Sequence, residues 1–318
     1  MQKRGDELST KGCRAVHLHS FGGTEVMDIL EVPAPQAGPG QIRVRVTAAG
    51  LNPMDWFMLT DAATAGRFGL SLPAGFGTDY AGAVDQVGDG VTGFTPGDRV
   101  FGGALSRAVA DFVVVDAAGG VAANEAHHTP DGVDDRTAAT LTIAGRTASA
   151  ALVVVDLGPD DTVLIGGAAG GVGVFVVQLA RIAGARVIGT GSASSVDFLR
   201  DLGAEPVAYG DGLADRVRAI APGGITAAID LYGTETAHAA RALGVPDTRI
   251  TTIAAQVDGI TATNGASAAP GALEKLAGLI ATGRLRVPIA ASFPVEQIRT
   301  AVKLQAGRHV KGKVVIDL

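Results

Sequence analysis

A single cysteine, Cys13, stands in 318 residues. One thiol cannot close an internal disulfide or form the Cys cluster of a structural zinc site. A reducing compartment follows. Aromatic residues are scarce at 4%, and charged residues reach only 18%. The net charge of -6 lacks the basic excess of a nucleic-acid binder and mainly favours solubility. The most apolar long stretch, Thr137 to Leu157, is interrupted by Arg146 and Asp156. It is too polar at its centre to span a bilayer. The opening MQKRGDELSTKG has no apolar core of the signal-peptide kind. These absences predict a soluble cytoplasmic protein with neither a membrane nor a nucleic-acid partner.

What is present is ample apolar material, 47% of the residues. The length suggests about two domains at roughly 100–200 residues each. Residues 1–12 read as a loose tail. From about Arg14 to Asp116 the pattern is β-rich. Ile42–Gly50 (IRVRVTAAG) alternates apolar and charged residues like a half-buried strand. Turn signals at Gly38–Gly40, Val87–Val91 and Thr95–Asp98 separate short apolar runs. That spacing predicts a small barrel or rolled sheet.

The texture changes near Asp131. DGVDDRTAATLTIAGRTASAAL reads as one helix capped by Asp131 or Asp134. Strands then alternate with helices: strands at 162–166, 185–190, 206–209, 226–233, 249–254 and 259–263, with helices between them. Such alternation predicts an α/β, doubly wound parallel sheet. After that the alternation stops. Helices are expected at 271–282 and 295–305, and a strand at 313–318, returning to the first domain. The predicted organisation is residues 1–132 as a first domain, 133–268 as the parallel-sheet domain, and 269–318 completing the first.

The central motif is TVLIGGAAGGVG, with Gly167, Gly170 and Gly173 three apart. A tight strand-to-helix turn needs residues without Cβ. Backbone N–H groups of Gly170, Gly171, Val172 and Ala169 can then face a pyrophosphate, aided by the helix dipole. Strand, turn, helix and second strand follow within about 30 residues, as a dinucleotide fingerprint demands. NAD binders place an acid about 20 residues after the motif. Here Thr190–Ser195 (TGSASS) contains none. Ser192 can donate to a 2′-phosphate or cap the next helix. NADPH is therefore favoured over NADH.

The chain resembles the zinc-independent quinone oxidoreductases of the medium-chain dehydrogenase/reductase superfamily. The likeness runs from about Ala15 to Leu318, through AAGLNPMDW (48–56), GTDYAGAVDQVGDGVTGFTPGDRVFG (77–102), LTIAGRTASAAL (141–152), the Gly-rich turn and the segment 283–318. It implies a GroES-like catalytic domain, a Rossmann domain, an active site in the cleft between them, and a homodimer. Zinc-bearing relatives begin the segment at Asn52 with a Cys ligand and carry His–Glu at Thr78–Asp79. Neither is present here, so no zinc is expected. His127 and His128 read as exposed loop residues.

The resemblance implies that Asn52 lies beside the nicotinamide or polarises a substrate carbonyl. It also implies cofactor contacts at Thr147, Tyr209, Ala254 and Lys313, Tyr209 toward the 2′-phosphate. A strand-edge Lys313 could equally be solvated. The family's usual Lys or Arg near the second strand is replaced by Ser194 and Ser195, and Arg200 could compensate only if its loop folds back. Tyr80 and Asp55 are candidate acids, with Asp55 also readable as a cap. Trp56, Phe57 and Phe76 could wall an aromatic acceptor or form core. The implied reaction is hydride transfer from NADPH to a quinone, which becomes a hydroquinone anion that water can protonate. The alternatives are a biosynthetic enone or enoyl reductase, and a weakly catalytic NADPH-binding protein of the zeta-crystallin kind, structural or RNA-binding.

Overall fold

Ile42, Val44 and Val46 point into one core while Arg43, Arg45 and Thr47 face away, the two-residue period of a strand. Burying each such aliphatic side chain contributes about 1.5–3 kcal/mol. A computed structural model describes residues 12–119 and 124–318. The expected loose tail lies outside them, Gly12 excepted.

The first unit takes in the described residues up to Ile143, together with Ala291–His309 and Lys313–Leu318. Its early strands are β1 (Cys13–Leu18), β2 (Met27–Val32), β3 (Gln41–Leu51) and β4 (Ala74–Gly75). Then come β5 (Asp79–Val87), β6 (Arg99–Ala104), β7 (Phe112–Asp116) and β8 (Asn124–His128). Helices α1 (Pro53–Thr60) and α2 (Ala62–Arg67) leave the end of β3, and α3 (Asp135–Ala138) follows β8.

β3 organises the larger sheet. One edge pairs antiparallel with β5, with register shifts at Arg43/Val44 and Val46/Ala48. Such bulges bend and twist a strand. On its other edge Gln41–Arg45 pair with β7, and Ala48–Leu51 pair with the C-terminal strand described below. The expected rolled β-rich unit is present.

His127 and His128 correct an expectation. They form the end of β8, not a loop. Neighbours on a strand face opposite ways. His127 lies against Phe101 with its Nε2 3.1 Å from Glu125 Oε2, whereas His128 stacks on Phe94.

The second unit is Ala144–Ala290 with Val310–Gly312. The helix expected over this entry region is two helices. Asp134, not Asp131, caps α3 by accepting from the Thr137 N–H, and α4 (Thr142–Val155) starts after a break. Strands β9 (Thr162–Gly166), β10 (Arg186–Gly191), β11 (Glu205–Ala208), β12 (Ala227–Asp230), β13 (Ile250–Thr252) and β14 (Thr261–Ala262) follow. Their order in space is β11-β10-β9-β12-β13-β14, with every pair parallel. In sequence rank this is 3-2-1-4-5-6, the dinucleotide-binding order whose switch point falls between ranks one and four. Helices α5 (Gly173–Ile182), α6 (Val196–Asp201), α7 (Leu213–Ile220) and α8 (Glu235–Ala242) link the strands.

The boundaries differ from the expected ones at both ends. Residues 133–143 stay with the first unit: Asp135 accepts from Thr47 and Arg99, and Ile143 donates to Asp79. Helix α9 (Ala272–Ala281) stays with the second. Its Leu276 packs so closely on Gly145 of α4 that a Cβ there would lie 2.6 Å away. Finally β15 (Ile289–Pro294), α10 (Ile298–Ala306) and β16 (Lys313–Asp317) close the chain, and β16 lies between β15 and β3.

Candidate active site

The Gly-rich turn leaves β9 and enters α5. Gly167 has φ +68, a conformation that disfavours residues with a Cβ. At Gly173 a Cβ would lie 2.4 Å from the Ala168 carbonyl oxygen and 2.5 Å from that of Gly167. Only glycine lets the helix start this close to the strand. No side chain caps α5. The Val174 and Phe175 N–H groups already bond the Gly170 and Val172 carbonyls, so it is the positive end of the dipole at Gly173 that suits an anion. The chemistry of this turn fits a dinucleotide pyrophosphate, which would lie against Gly167, Ala169, Gly170, Gly171, Val172 and Gly173.

The loops after the neighbouring strands are braced around the turn. Thr190 Oγ1 accepts from the Gly167 N–H at 3.2 Å. Asp230, which sequence reasoning did not single out, is buried at the end of β12. Its carboxylate accepts from the N–H groups of Tyr232, Gly233, Thr236 and Ala237 at 2.9–3.3 Å. A short acid at a strand end before a helix was the available signal.

Gly191 and Ala208 are register partners at the ends of β10 and β11. Ser192 and Tyr209 are the first residues past these adjacent strand ends, where a ribose phosphate is expected. Ser192 Oγ lies 3.0 Å from both Ser194 Oγ and Ser195 Oγ. Tyr209 is exposed. Arg200 does not fold back: it pairs with Asp197 one turn away on α6. Thr147 lies half-buried in α4, and Ala254 is exposed just past β13.

In the first unit, register across the sheet sets Lys313 beside Asn52, because Val314 pairs with Leu51. Lys313 is buried. Its Nζ donates to Asn52 Oδ1 at 2.6 Å and to the Leu51 carbonyl at 3.1 Å. Asn52 Nδ2 donates to Asp79 Oδ2 at 3.0 Å, and the Ile143 N–H donates to Asp79 Oδ1 at 3.1 Å. Asp55 accepts from the Asn52 N–H and from Thr78 Oγ1, each at 2.8 Å. Asp55 is therefore both a helix cap and part of a buried charge cluster.

Two carboxyls face one ammonium in this cluster. Ionising both would leave an uncompensated negative charge in the core. Burial pushes Asp79 up to about 7, against the pull of Lys313. Burial likewise pushes Asp55 up to about 6, opposed by its bond from Thr78. Burial lowers the Lys313 ammonium, and the two acids oppose that. The group accordingly holds a proton that moves between neutral and mildly acidic pH.

Tyr80 is corrected as an acid. It is fully buried, donates to the Glu125 carbonyl at 2.9 Å, and burial raises its phenol further. It is a core residue of β5. Phe76 is core as well, whereas Trp56 and Phe57 on α1 are half-exposed.

Asn52, Thr78 and Asp79, the positions at which zinc-bearing relatives carry ligands, do come together. Their donor set does not fit a zinc ion. The Asn52 amide oxygen is taken by an ammonium, the Thr78 hydroxyl donates to Asp55, and a cation already stands beside the one carboxylate. Among the described residues no group of three or more His, Cys, Asp or Glu could hold a metal, and no helix is long and apolar enough to cross a membrane.

Residues 38–156 match the alcohol dehydrogenase GroES-like domain, and residues 202–316 match the zinc-binding dehydrogenase domain. The chain belongs to the medium-chain dehydrogenase/reductase superfamily. Within it the chain is quinone oxidoreductase-like. It is 35% identical over 200 residues to a quinone oxidoreductase of Rattus norvegicus, covering 61% of this chain and 57% of that one. The chain spans little more than half the length of such curated relatives. The structure of the quinone oxidoreductase from Coxiella burnetii superposes with a TM-score of 0.85 at 28% identity, covering 97% of this chain and 100% of that one. A mycobacterial protein solved in complex with NADPH gives 0.83 at 26% identity, covering 96% of this chain and 100% of that one. The expected pairing of a GroES-like and a Rossmann domain is thereby shown.

Proposed function

We propose that the chain is a zinc-independent, NADPH-dependent oxidoreductase that transfers hydride to a quinone or a similarly electron-poor small molecule. The observation that carries this reading is the Lys313 ammonium buried against Asn52. A fixed protein cation occupies the neighbourhood where zinc-bearing relatives keep a Lewis acid.

Quinone chemistry suits such a site. The bound nicotinamide supplies the hydride, and the chain supplies orientation and exclusion of water. A quinone that gains hydride becomes a phenolate-type anion of pKa about 10, so water can complete the reaction. Protonation at carbon, which an enone needs, is better served by a positioned acid. The burial of Tyr80 removes one candidate for that role. Asn52 has a second amide hydrogen beyond the one given to Asp79, and we assign it to orienting a carbonyl oxygen.

NADPH is preferred because no acid follows β10, while Ser192 and Tyr209 flank the ribose position. The relative solved with NADPH supports this choice. The family likeness suggests a dimer acting on a small molecule in the cytoplasm.

The test is a panel of quinones, alkenals and enoyl thioesters, with nicotinamide oxidation followed by absorbance and a chelator added in parallel. Quinone turnover insensitive to the chelator is expected. Rapid turnover of alkenals alone would move the chain to the enone reductases. Tight NADPH binding with no turnover would favour the structural alternative. Activity lost to chelation and restored by zinc would overturn the metal-free reading.

A further inference from the structure

The loop after β10 lacks a basic residue of its own, yet a cation reaches it from elsewhere. Lys311 lies in the Val310–Gly312 strap, which belongs to the dinucleotide-binding unit although the chain on either side of it does not. The Gly312 N–H donates to the Ala169 carbonyl of the Gly-rich turn at 2.9 Å. One residue earlier, Lys311 Nζ donates to the carbonyl of Ser194. The strap is thus fixed to the pyrophosphate turn and extends its side chain to the loop of the next strand.

The Lys311 contact is with a neutral carbonyl. Among the described residues no carboxylate pairs with this ammonium. Asp197, three residues after Ser194, pairs with Arg200 instead. An ammonium without a counter-ion stands next to the three clustered hydroxyls of Ser192, Ser194 and Ser195. This is the chemistry that recognises a dianionic phosphate monoester, one cation with several O–H donors.

We propose that Lys311 is the residue that selects the 2′-phosphate of NADPH, supplying from the C-terminal segment the charge that the β10 loop lacks. This rests on the NADPH reading above. A second cation braces the loop after β11. Arg216 wraps the loop beside Tyr209, donating to the carbonyls of Ala208, Gly210 and Asp211 at 2.6–3.0 Å.

Binding of NADPH, NADH, 2′,5′-ADP and 5′-AMP to the full chain, measured by fluorescence or calorimetry, tests the assignment without turnover. In the unmodified chain NADPH should bind tighter than NADH. Lys311→Gln should weaken NADPH and 2′,5′-ADP roughly 10- to 100-fold, the range of one charge-assisted hydrogen bond. NADH and 5′-AMP should stay within about twofold. Lys311→Arg should restore most of the preference. An unmodified chain that binds both dinucleotides equally overturns the NADPH reading, and Lys311 with it. An unmodified chain that prefers NADPH while Lys311→Gln keeps that preference overturns Lys311 alone. Equal loss of both dinucleotides in Lys311→Gln overturns it too, since the strap would then serve only to shape the turn.

Discussion

Lys313 holds its ammonium 2.6 Å from the amide oxygen of Asn52, 261 residues away in the chain. The contact joins the last strand to the N-terminus of α1. It also sets one positive charge against Asp79 and Asp55. Removing the cation should therefore cost more than the lost hydrogen bonds. Lys313→Met, close in volume, is expected to destabilise the first unit by about 3–5 kcal/mol near neutral or alkaline pH, the penalty for breaking a buried pair. At about pH 5 the cost should shrink, because both carboxyls then keep their protons. Denaturant unfolding at the two pH values checks this. Parent-like stability of Lys313→Met at high pH would mean the ammonium compensates nothing.

Asp79 gives a separate pH signature. Its pKa is about 7 in the folded chain and about 3.9 when unfolded. Between those values the folded state binds the extra proton. The stability this proton contributes is full below about pH 3.9 and is lost as pH rises through about 7. Asp79→Asn lacks the titration. Its melting temperature relative to the parent should therefore climb as pH rises across that window. A flat difference curve would show that Asp79 titrates normally.

Much of the second unit was legible because each strand there is a short apolar run closed by a turn signal. The strand at 162–166 came out at the predicted residues. Domain limits were harder. The division at Ile143–Ala144 falls inside α4, where apolar periodicity continues unbroken. The buried cluster was only half visible. The N-P-M-D segment pointed to Asn52 and Asp55, but nothing local distinguishes Lys313 from a solvated strand-edge lysine. Its burial depends on antiparallel pairing of Val314 with Leu51, a long-range register that no local pattern encodes. Lys311 was invisible for the same reason. Its role depends on where Gly312 is tied, not on its neighbours in sequence.

The loop after β10 predicts a reversal of cofactor preference. Ser192→Asp would restore the acid that NAD binders use for the ribose hydroxyls, beside a 2′-phosphate that it repels. Like charges brought together cost several kcal/mol at an interface. NADPH affinity should fall by at least about tenfold, while NADH affinity should hold or improve. Titration of each dinucleotide against the variant measures the ratio. An unchanged ratio would place the ribose away from Ser192.

The Gly-rich turn separates a folding role from a binding role. A Cβ on Gly173 meets two carbonyl oxygens at 2.4 and 2.5 Å, whereas a Cβ on Gly170 meets only the Gly167 carbonyl oxygen, at 3.3 Å. Backbone oxygens cannot swing aside as side chains do. Gly173→Ala should therefore cost about 1–3 kcal/mol or more through overpacking and lose dinucleotide binding with it. Gly170→Ala should melt within a few degrees of the parent. On the proposed pyrophosphate site its dinucleotide affinity should still drop by about tenfold or more, because the backbone can no longer approach the phosphates closely. Thermal unfolding and dinucleotide titration on both variants give the four values needed. If Gly170→Ala binds as tightly as the parent, the pyrophosphate does not cross the turn at that glycine.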